Sequence, residues 1–585
     1  RHRSTSILRQ RTAALTFLAV ENLRTQILTR DGPRTVVDGL SFSLGEGEVL
    51  AIIGESGSGK SVAMQSIMGL LPSPPGLVTS GNALFEGRDL LALPETELRK
   101  LRGNRIGMIF QEPMSALNPM MPVGDQIAET IVTHRGTSWS AARAEAVSLL
   151  DRVRIPDASG RALLHPAALS GGMRQRVVIA AALACKPSLV IADEPTTALD
   201  ATVQAEILTL LRELKAEVGC AVIFITHDVG VVRQIADTVL VMQTGRAIES
   251  GRRDDVLGNP QATYTKTLIA ASVPATTRTT VPKPVNAALP PLAIEDLIVS
   301  FPSNTAMMAW RAPPRLFAVD GVSLTVEPGE TLALVGESGS GKTTIARAIL
   351  GLVQPDAGRV RLRGQDVSTG RQSLQGRVQF VFQDPQSSLD PRYRAWQSIT
   401  EPLRIAGETN QATLRERATE LLAQVGLDAS HLDRLTHELS GGQRQRLGIA
   451  RALSVAPELM IADEAVSALD ATTKLQILDL LQAIQADANL PLLFITHDFA
   501  VVSRIAHQVA VMRFGRLVEI GPTAQVLENP QSAYTRTLIA AASGRPGDSV
   551  PMAGGHRLGP AGTQPIWRPM RQHAPGHFVA EEEAS

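Results

Sequence analysis

An α/β protein carrying one domain twice is expected from this sequence on three grounds. The chain repeats itself: GESGSGKS at Gly54–Ser61 returns as GESGSGKT at Gly336–Thr343, LSGGMRQR at Leu169–Arg176 returns as LSGGQRQR at Leu439–Arg446, and FITHD at Phe224–Asp228 returns at Phe494–Asp498. Uninterrupted apolar runs (VLAIIG, LVIADE and AVIFITHD in the first copy) alternate with helix-length segments, as parallel strands buried on both faces do. A glycine-rich loop follows the first of these runs in both copies. From the LSGG block onward the offset stays at 270 residues. Each copy is roughly 250 residues, far longer than a solenoid unit, so the repeat is a duplicated globular domain.

The ordering along the chain follows from composition. Residues 1–15 are basic and polar and read as a disordered tail rather than a secretory or organellar leader. Residues 16–271 form the first domain, with a helix-rich stretch from Met120 to Leu164 read as a helical subdomain. Residues 272–291 are a Pro-rich, extended linker, and 292–542 are the second domain. The last stretch, 543–585, is rich in Gly, Pro and His, ends in EEEAS, and reads as disordered. Across 585 residues, 57 Lys+Arg balance 57 Asp+Glu, which leaves no general electrostatic footprint for nucleic acid or an anionic membrane. The two cysteines, Cys185 and Cys220, cannot build a disulfide framework, a Cys-rich zinc site or an iron–sulfur cluster, and read as core thiols of a reducing compartment. No apolar run approaches the roughly 18–20 residues of a membrane-spanning helix.

The chemistry sits in the repeated motifs. G-x-x-x-x-G-K-[ST] after an apolar strand is a phosphate-binding loop: Gly54, Gly57 and Gly59 let the backbone curl, so that N–H groups through Glu55, Ser56 and Ser58 converge on phosphate oxygens. Lys60 is placed to reach the β- and γ-phosphates of ATP, and the Ser61 hydroxyl to ligate Mg²⁺. Gly336, Glu337, Ser338, Gly339, Ser340, Gly341, Lys342 and Thr343 repeat these roles, and Thr344 adds a hydroxyl that Val62 lacks. Asp193 and Asp463 end apolar strands beside the loop, where a carboxylate completes Mg²⁺ coordination. Glu194 and Glu464 follow them and are positioned to orient or activate the attacking water. Acidic pairs also simply end strands and cap helices; the order of loop, LSGG and Asp-Glu in both copies argues against that. His227 and His497 follow further apolar strands, within reach of a γ-phosphate. Ser170-Gly171-Gly172 and Ser440-Gly441-Gly442 each open an expected helix, whose cap hydroxyl and dipole suit a second phosphate contact.

These motifs in this order resemble the ATP-binding cassette (ABC) ATPases over nearly the whole chain. The resemblance implies two tandem P-loop NTPase domains, each with a helical subdomain and a short C-terminal extension, pairing within one chain. It also implies crosswise sites, Lys60, Asp193, Glu194 and His227 with Ser440-Gly441-Gly442, and Lys342, Asp463, Glu464 and His497 with Ser170-Gly171-Gly172. Gln111 and Gln383 match the family's Gln loop, which joins Ser61, Asp193, Thr343 and Asp463 around Mg²⁺. Asp200 and Asp470 match its D-loop, and Phe301 its adenine-stacking aromatic. The first copy departs with Ile27 at that place, and the second with Ala465 where the first has Pro195.

Finer features narrow the resemblance. MIFQEPMSALNP, FVFQDPQSSLDP and the NPxxxYTxTLIAA segment after each cassette are similar to oligopeptide/dipeptide-type importers, and the chain resembles a fused D-type and F-type ATPase of the oligopeptide/dipeptide/glutathione group. That implies an ATP-hydrolysing subunit energising import of a peptide-like solute through two separate membrane permease subunits fed by an extracytoplasmic solute-binding protein. Such a subunit is peripheral, on the cytoplasmic face of the bacterial inner membrane, and binds no nucleic acid. Tyr264 and Tyr534, in the post-cassette segments, are read as packing their helices on the cassettes. The alternative is a tandem-cassette ATPase acting on the ribosome, which calls for a long charged linker and basic surfaces; here the linker is short and Pro-rich and the charge balanced.

Overall fold

A computed structural model of the chain describes residues 17–29, 32–196, 201–272, 289–302, 314–368, 374, 376–384, 388–467, 469–542, 556–559 and 570–581. The expected tail 1–15, most of the expected linker and the D-loop Asp200 lie outside the described residues. The chain divides into two compact units with a boundary after Ser272, close to the expected domain edge.

Each unit carries the expected largely parallel sheet. In the first, the strands run Arg246–Arg252, Thr238–Gln243, Val49–Ile53, Ala221–Thr226, Leu189–Asp193 and Ile106–Ile109 across six positions, parallel except at the Arg246–Arg252 edge. Val49–Ile53 and Leu189–Asp193 are buried at every position, which is why they read as continuous apolar runs rather than alternating ones. A second, antiparallel sheet pairs Leu18–Thr29 with Gly32–Leu44 and Gly76–Phe85. Between the sheets lies the helix Lys60–Ile67, whose Ala63, Met64 and Ile67 join Leu18, Leu40, Ile52 and Ile223 in one core. This packing clamps the glycine loop between a buried strand and a buried helix.

The helical subdomain is present as Val123–Arg135, Trp139–Arg152 and Ala158–Ala162, packed against the Gly171–Leu183 helix through Ile127, Ile131, Leu150 and Val177. Its counterpart in the second unit is broken: Ala395–Ile399 and Glu401–Ile405 are separate helices, because Pro402 has no N–H to continue the ladder.

One expectation is corrected. Residues 543–585 were expected to be disordered throughout, yet Leu558–Gly559 pairs with Arg315–Leu316, and Met570–Ala574 and His577–Ala580 form a hairpin added to the Arg516–Pro522 edge of the second unit's sheet. The physical reason is an available edge: Arg516–Pro522 offers unpaired backbone groups, and the buried His577 imidazole lies 2.8 Å from the buried Glu519 carboxylate.

Candidate active site

In both copies the loop backbone holds the conformation its glycines permit. Gly54, Gly57 and Gly59 have φ of 155°, 78° and 95°, and Gly336, Gly339 and Gly341 have 155°, 81° and 106°. Gly54 and Gly336 are further constrained by space: an added Cβ would lie 2.2 Å from the Met242 carbonyl and 2.3 Å from that of Met512. Ser58, Lys60, Ser340 and Lys342 are buried, while Ser56 and Ser338 are exposed at the loop tips. The Lys60 ammonium donates to the Gly54 and Glu55 carbonyls at 2.8 Å and to Ser58 Oγ at 3.3 Å; Lys342 repeats this at 2.7, 2.7 and 3.2 Å. A cation with three donors is thus held by two loop carbonyls and a loop hydroxyl.

The two acidic strand ends converge on this loop. Ser61 Oγ donates to Asp193 Oδ1 at 2.9 Å, and Thr343 bonds to Asp463 in the same way. Burial pushes both carboxyls above the ordinary 3.8 of Asp, and Glu194 or Glu464 beside them adds to it, against the hydroxyl bond and the lysine charge. Glu194 Oε2 accepts from Gln111 Nε2 at 3.1 Å and lies 3.4 Å from His227 Nδ1. Glu464 accepts from Gln383 Nε2 at 2.6 Å and sits 3.1 Å from His497 Nδ1. Burial pushes the Glu464 carboxyl up, but His497, Lys342 and Gln383 together hold it below the usual carboxylate value. Burial pulls His497 down, and its bond to Glu464 together with the charges of Glu464 and Asp498 more than offsets this, leaving it raised. Both glutamates have a left-handed backbone, φ 45° and 47°, which a non-glycine residue adopts only under strain.

The family whose description reads "ABC transporter" matches residues 37–197 and 319–467, one span for each of these sites. The chain belongs to the ABC transporter family. A further match, described as "Oligopeptide/dipeptide transporter, C-terminal region", covers residues 518–547. The glutathione import ATP-binding protein GsiA of Escherichia coli (strain K12) is 46% identical over 555 residues, spanning 90% of this chain and 89% of the relative. The protein of that name from Shigella sonnei (strain Ss046) matches with the same identity and coverage, and that of Escherichia coli O1:K1 / APEC is 45% identical.

The ABC signature elements are helix starts. Ser170 caps Gly171–Leu183 by accepting from Met173 N–H at 3.4 Å, and Ser440 caps Gly441–Leu453 by accepting from Gln443 N–H at 3.3 Å. The two glycines of each signature differ. A Cβ on Gly172 or Gly442 would strike Val203 at 2.8 Å or Thr473 at 2.5 Å, whereas Gly171 and Gly441 face open space. Phe301 stands on the Leu292–Pro302 strand opposite Leu316, 39% exposed. Thr344 lies in the first turn of the Lys342–Ile349 helix. Asp470 caps Ala471–Ala488 by accepting from Thr473 N–H at 2.9 Å.

The post-cassette tyrosines do more than pack their helices on the cassettes. The Tyr264 hydroxyl accepts from Glu55 N–H at 3.0 Å and that of Tyr534 from Glu337 N–H at 3.4 Å, so each helix touches its own phosphate loop. The repeated YTxTLIAA segment signalled the helix, but nothing in the motif signalled the hydroxyl's partner. Gly54→Ala and Gly336→Ala are each expected to weaken binding of a fluorescent ATP analogue at their own loop more than about tenfold, since the clashing atom is backbone and φ is unsuited to a side chain. Gly57→Ala and Gly339→Ala, whose Cβ meets nothing, keep the strain of a left-handed φ but not the clash and should cost less in the same titration.

Proposed function

We propose that the chain is the ATP-hydrolysing subunit that energises import of a peptide-like solute, a dipeptide, oligopeptide or glutathione, through separate membrane permease subunits. The observation that carries this is two complete sets of loop lysine, strand-end Asp-Glu, Gln-loop glutamine and histidine, in a chain that also bears the oligopeptide/dipeptide C-terminal region. The GsiA relatives are named for glutathione import, which makes glutathione the first solute to test. Two permease subunits and an extracytoplasmic solute-binding protein are the expected partners, and the cytoplasmic face of the bacterial inner membrane the expected place. Among the described residues no helix is long and apolar enough to cross a membrane, in keeping with attachment through partners.

The residues fit Mg²⁺. Asp193 beside the Ser61 hydroxyl, with Gln111 near, and Asp463 beside Thr343, with Gln383 near, are oxygen donors of the hard type this ion takes. A buried carboxylate whose charged form is disfavoured by desolvation gains from a divalent cation. When bound, Mg²⁺ would neutralise charge on the β- and γ-phosphates. Lys60 and Lys342 hold the phosphates. Glu194 and Glu464 each keep one carboxylate oxygen directed by a glutamine amide and one histidine nearby, an arrangement suited to accept a proton from the attacking water. The signature serines are read as completing the opposite copy's site, on the strength of the family resemblance.

The test is uptake by proteoliposomes holding this chain and its permeases. Labelled glutathione or dipeptide should accumulate with ATP, and Lys60→Ala with Lys342→Ala should abolish accumulation while leaving the chain on the vesicles. Recovery of the chain with ribosomes rather than permeases, or accumulation that survives loss of both lysines, would overturn the proposal.

A further inference from the structure

The C-terminal segment reaches the second phosphate loop directly. His556 Nδ1 lies 2.9 Å from the Phe317 carbonyl oxygen and Nε2 lies 2.7 Å from that of Gly339. Carbonyl oxygens only accept, and a neutral imidazole carries a single N–H, so both bonds form at once only with the imidazolium. Gly339 sits inside the loop, and the next N–H, that of Ser340, donates to the Glu337 carbonyl at 3.1 Å. Because the peptide unit is planar, its two ends turn together. His556 therefore pins the outer end of a peptide whose inner end shapes the loop.

The surroundings make this a built contact rather than a chance one. The Phe317 strand backs the loop so closely that a Cβ on Gly341 would lie 2.2 Å from the Ala318 carbonyl. The His556 ring stands edge-on to Phe514, 6.0 Å between centroids, and the adjacent Gly515 N–H donates to Ser340 O at 2.9 Å. Arg557 locks the segment by pairing with Asp320 at 2.9 Å and stacking 3.8 Å above the Phe317 ring. In the first copy the inner bonds recur, Ser58 N–H to Glu55 O at 3.1 Å and Gly245 N–H to Ser58 O at 2.9 Å, but among the described residues no side chain donates to the Gly57 carbonyl.

We propose that His556 is a positioning residue for ATP at the second site, so that the C-terminal segment tunes one site and leaves the other alone. This rests on reading the Lys342 loop as a nucleotide site. The charged groups on the elements packed against the ring are Arg557 on its own segment, Arg315 and Asp320 on the strand, Glu337 and Lys342 on the loop, and Arg513 and Arg516 on the turn. Of these, Lys342 is turned onto the Gly336 and Glu337 carbonyls, Arg315 onto Ser300 and Asp356, and Arg513 over the Phe514 and Tyr534 rings. Asp320 is engaged by Arg516 and Arg557.

The experiment uses the full chain in two backgrounds, Lys60→Ala to leave the second site and Lys342→Ala to leave the first, titrated with a fluorescent ATP analogue. In the Lys60→Ala background, His556→Ala should raise Kd about five- to tenfold, a loss in the range of charge-assisted hydrogen bonds. His556→Arg, a permanent cation with several donors, should keep the affinity. In the Lys342→Ala background His556→Ala should leave Kd unchanged. Equal Kd for parent and His556→Ala, the same loss in both backgrounds, or a His556→Arg loss as large as that of His556→Ala would overturn the proposal. Undiminished nucleotide binding by the Lys60→Ala/Lys342→Ala chain would instead sink the loop assignment itself.

Discussion

Replacing Glu194 and Glu464 together by glutamine is expected to leave ATP binding intact and to slow hydrolysis by about a hundredfold or more. The amide preserves the shape, and its carbonyl oxygen can still accept from Gln111 or Gln383, so the local fold survives. What disappears is the negative oxygen that a water proton would need. Phosphate release measured beside nucleotide retained on the chain separates the two effects: release should collapse while retention rises. In the second copy the same change has a spectroscopic companion. His497 is held above its ordinary value by Glu464, so Glu464→Gln should let burial win and move its titration to lower pH, visible by NMR. Wild-type hydrolysis by the double variant would remove both glutamates from the chemistry.

The largest stability effect should come from Asp320→Ala. Its side chain is 0% exposed and accepts from Arg516 at 2.7 and 3.0 Å and from Arg557 at 2.9 Å. Removing it leaves two largely enclosed guanidinium groups, 23% and 12% exposed, without their counter-charge. Breaking such a pair from one side costs on the order of 3 kcal/mol, somewhat less where water still reaches the arginines. For a unit of this size that corresponds to a melting temperature lower by roughly 5–10 °C. The first copy supplies the control. Asp38 occupies the equivalent place and pairs with Arg246 at 2.6 Å and Arg24 at 3.4 Å, but it is 27% exposed and its partners 67% and 48%. Asp38→Ala should scarcely move the melt. Calorimetry of both variants checks the contrast, and equal shifts would show that burial of Asp320 does not decide its contribution.

Much of the site was legible because its residues lie within a few positions of glycines or of wholly apolar strands, and both patterns survive in one dimension. Lys60, Asp193, Glu194 and His227 were assigned this way and Gln111 through the family resemblance, and the geometry gathers Ser61 with Asp193 and Gln111 with Glu194 and His227. The parallel strands were readable for the same reason: burial on both faces leaves no polar residue to confuse the period. What was not legible depends on partners far along the chain. The MRQHA strand at Met570–Ala574 has a polar composition indistinguishable from a solvated tail, and only the free edge at Arg516–Pro522 gives the hairpin a place. The Tyr264 and Tyr534 hydroxyls and the Asp320–Arg557 pair were hidden likewise, since neither partner carries a motif that names the other.

The added hairpin also bears on how the protein keeps to itself in solution. Arg516–Pro522 reads RLVEIGP, and without a neighbour it would present a row of free backbone donors and acceptors flanked by Leu517, Val518 and Ile520. Such an edge is a template for pairing with another chain. Capping it with His577–Ala580 and then Met570–Ala574 moves the boundary of the sheet outward to a strand whose exposed positions are Arg571, Gln572 and His573. The first unit's own boundary strand, RAIESGR at Arg246–Arg252, begins and ends with arginine and has no apolar run to hide. Cutting the chain after the second cassette would thus uncover an adhesive border, and the shortened protein would be prone to aggregate even where its nucleotide sites are whole.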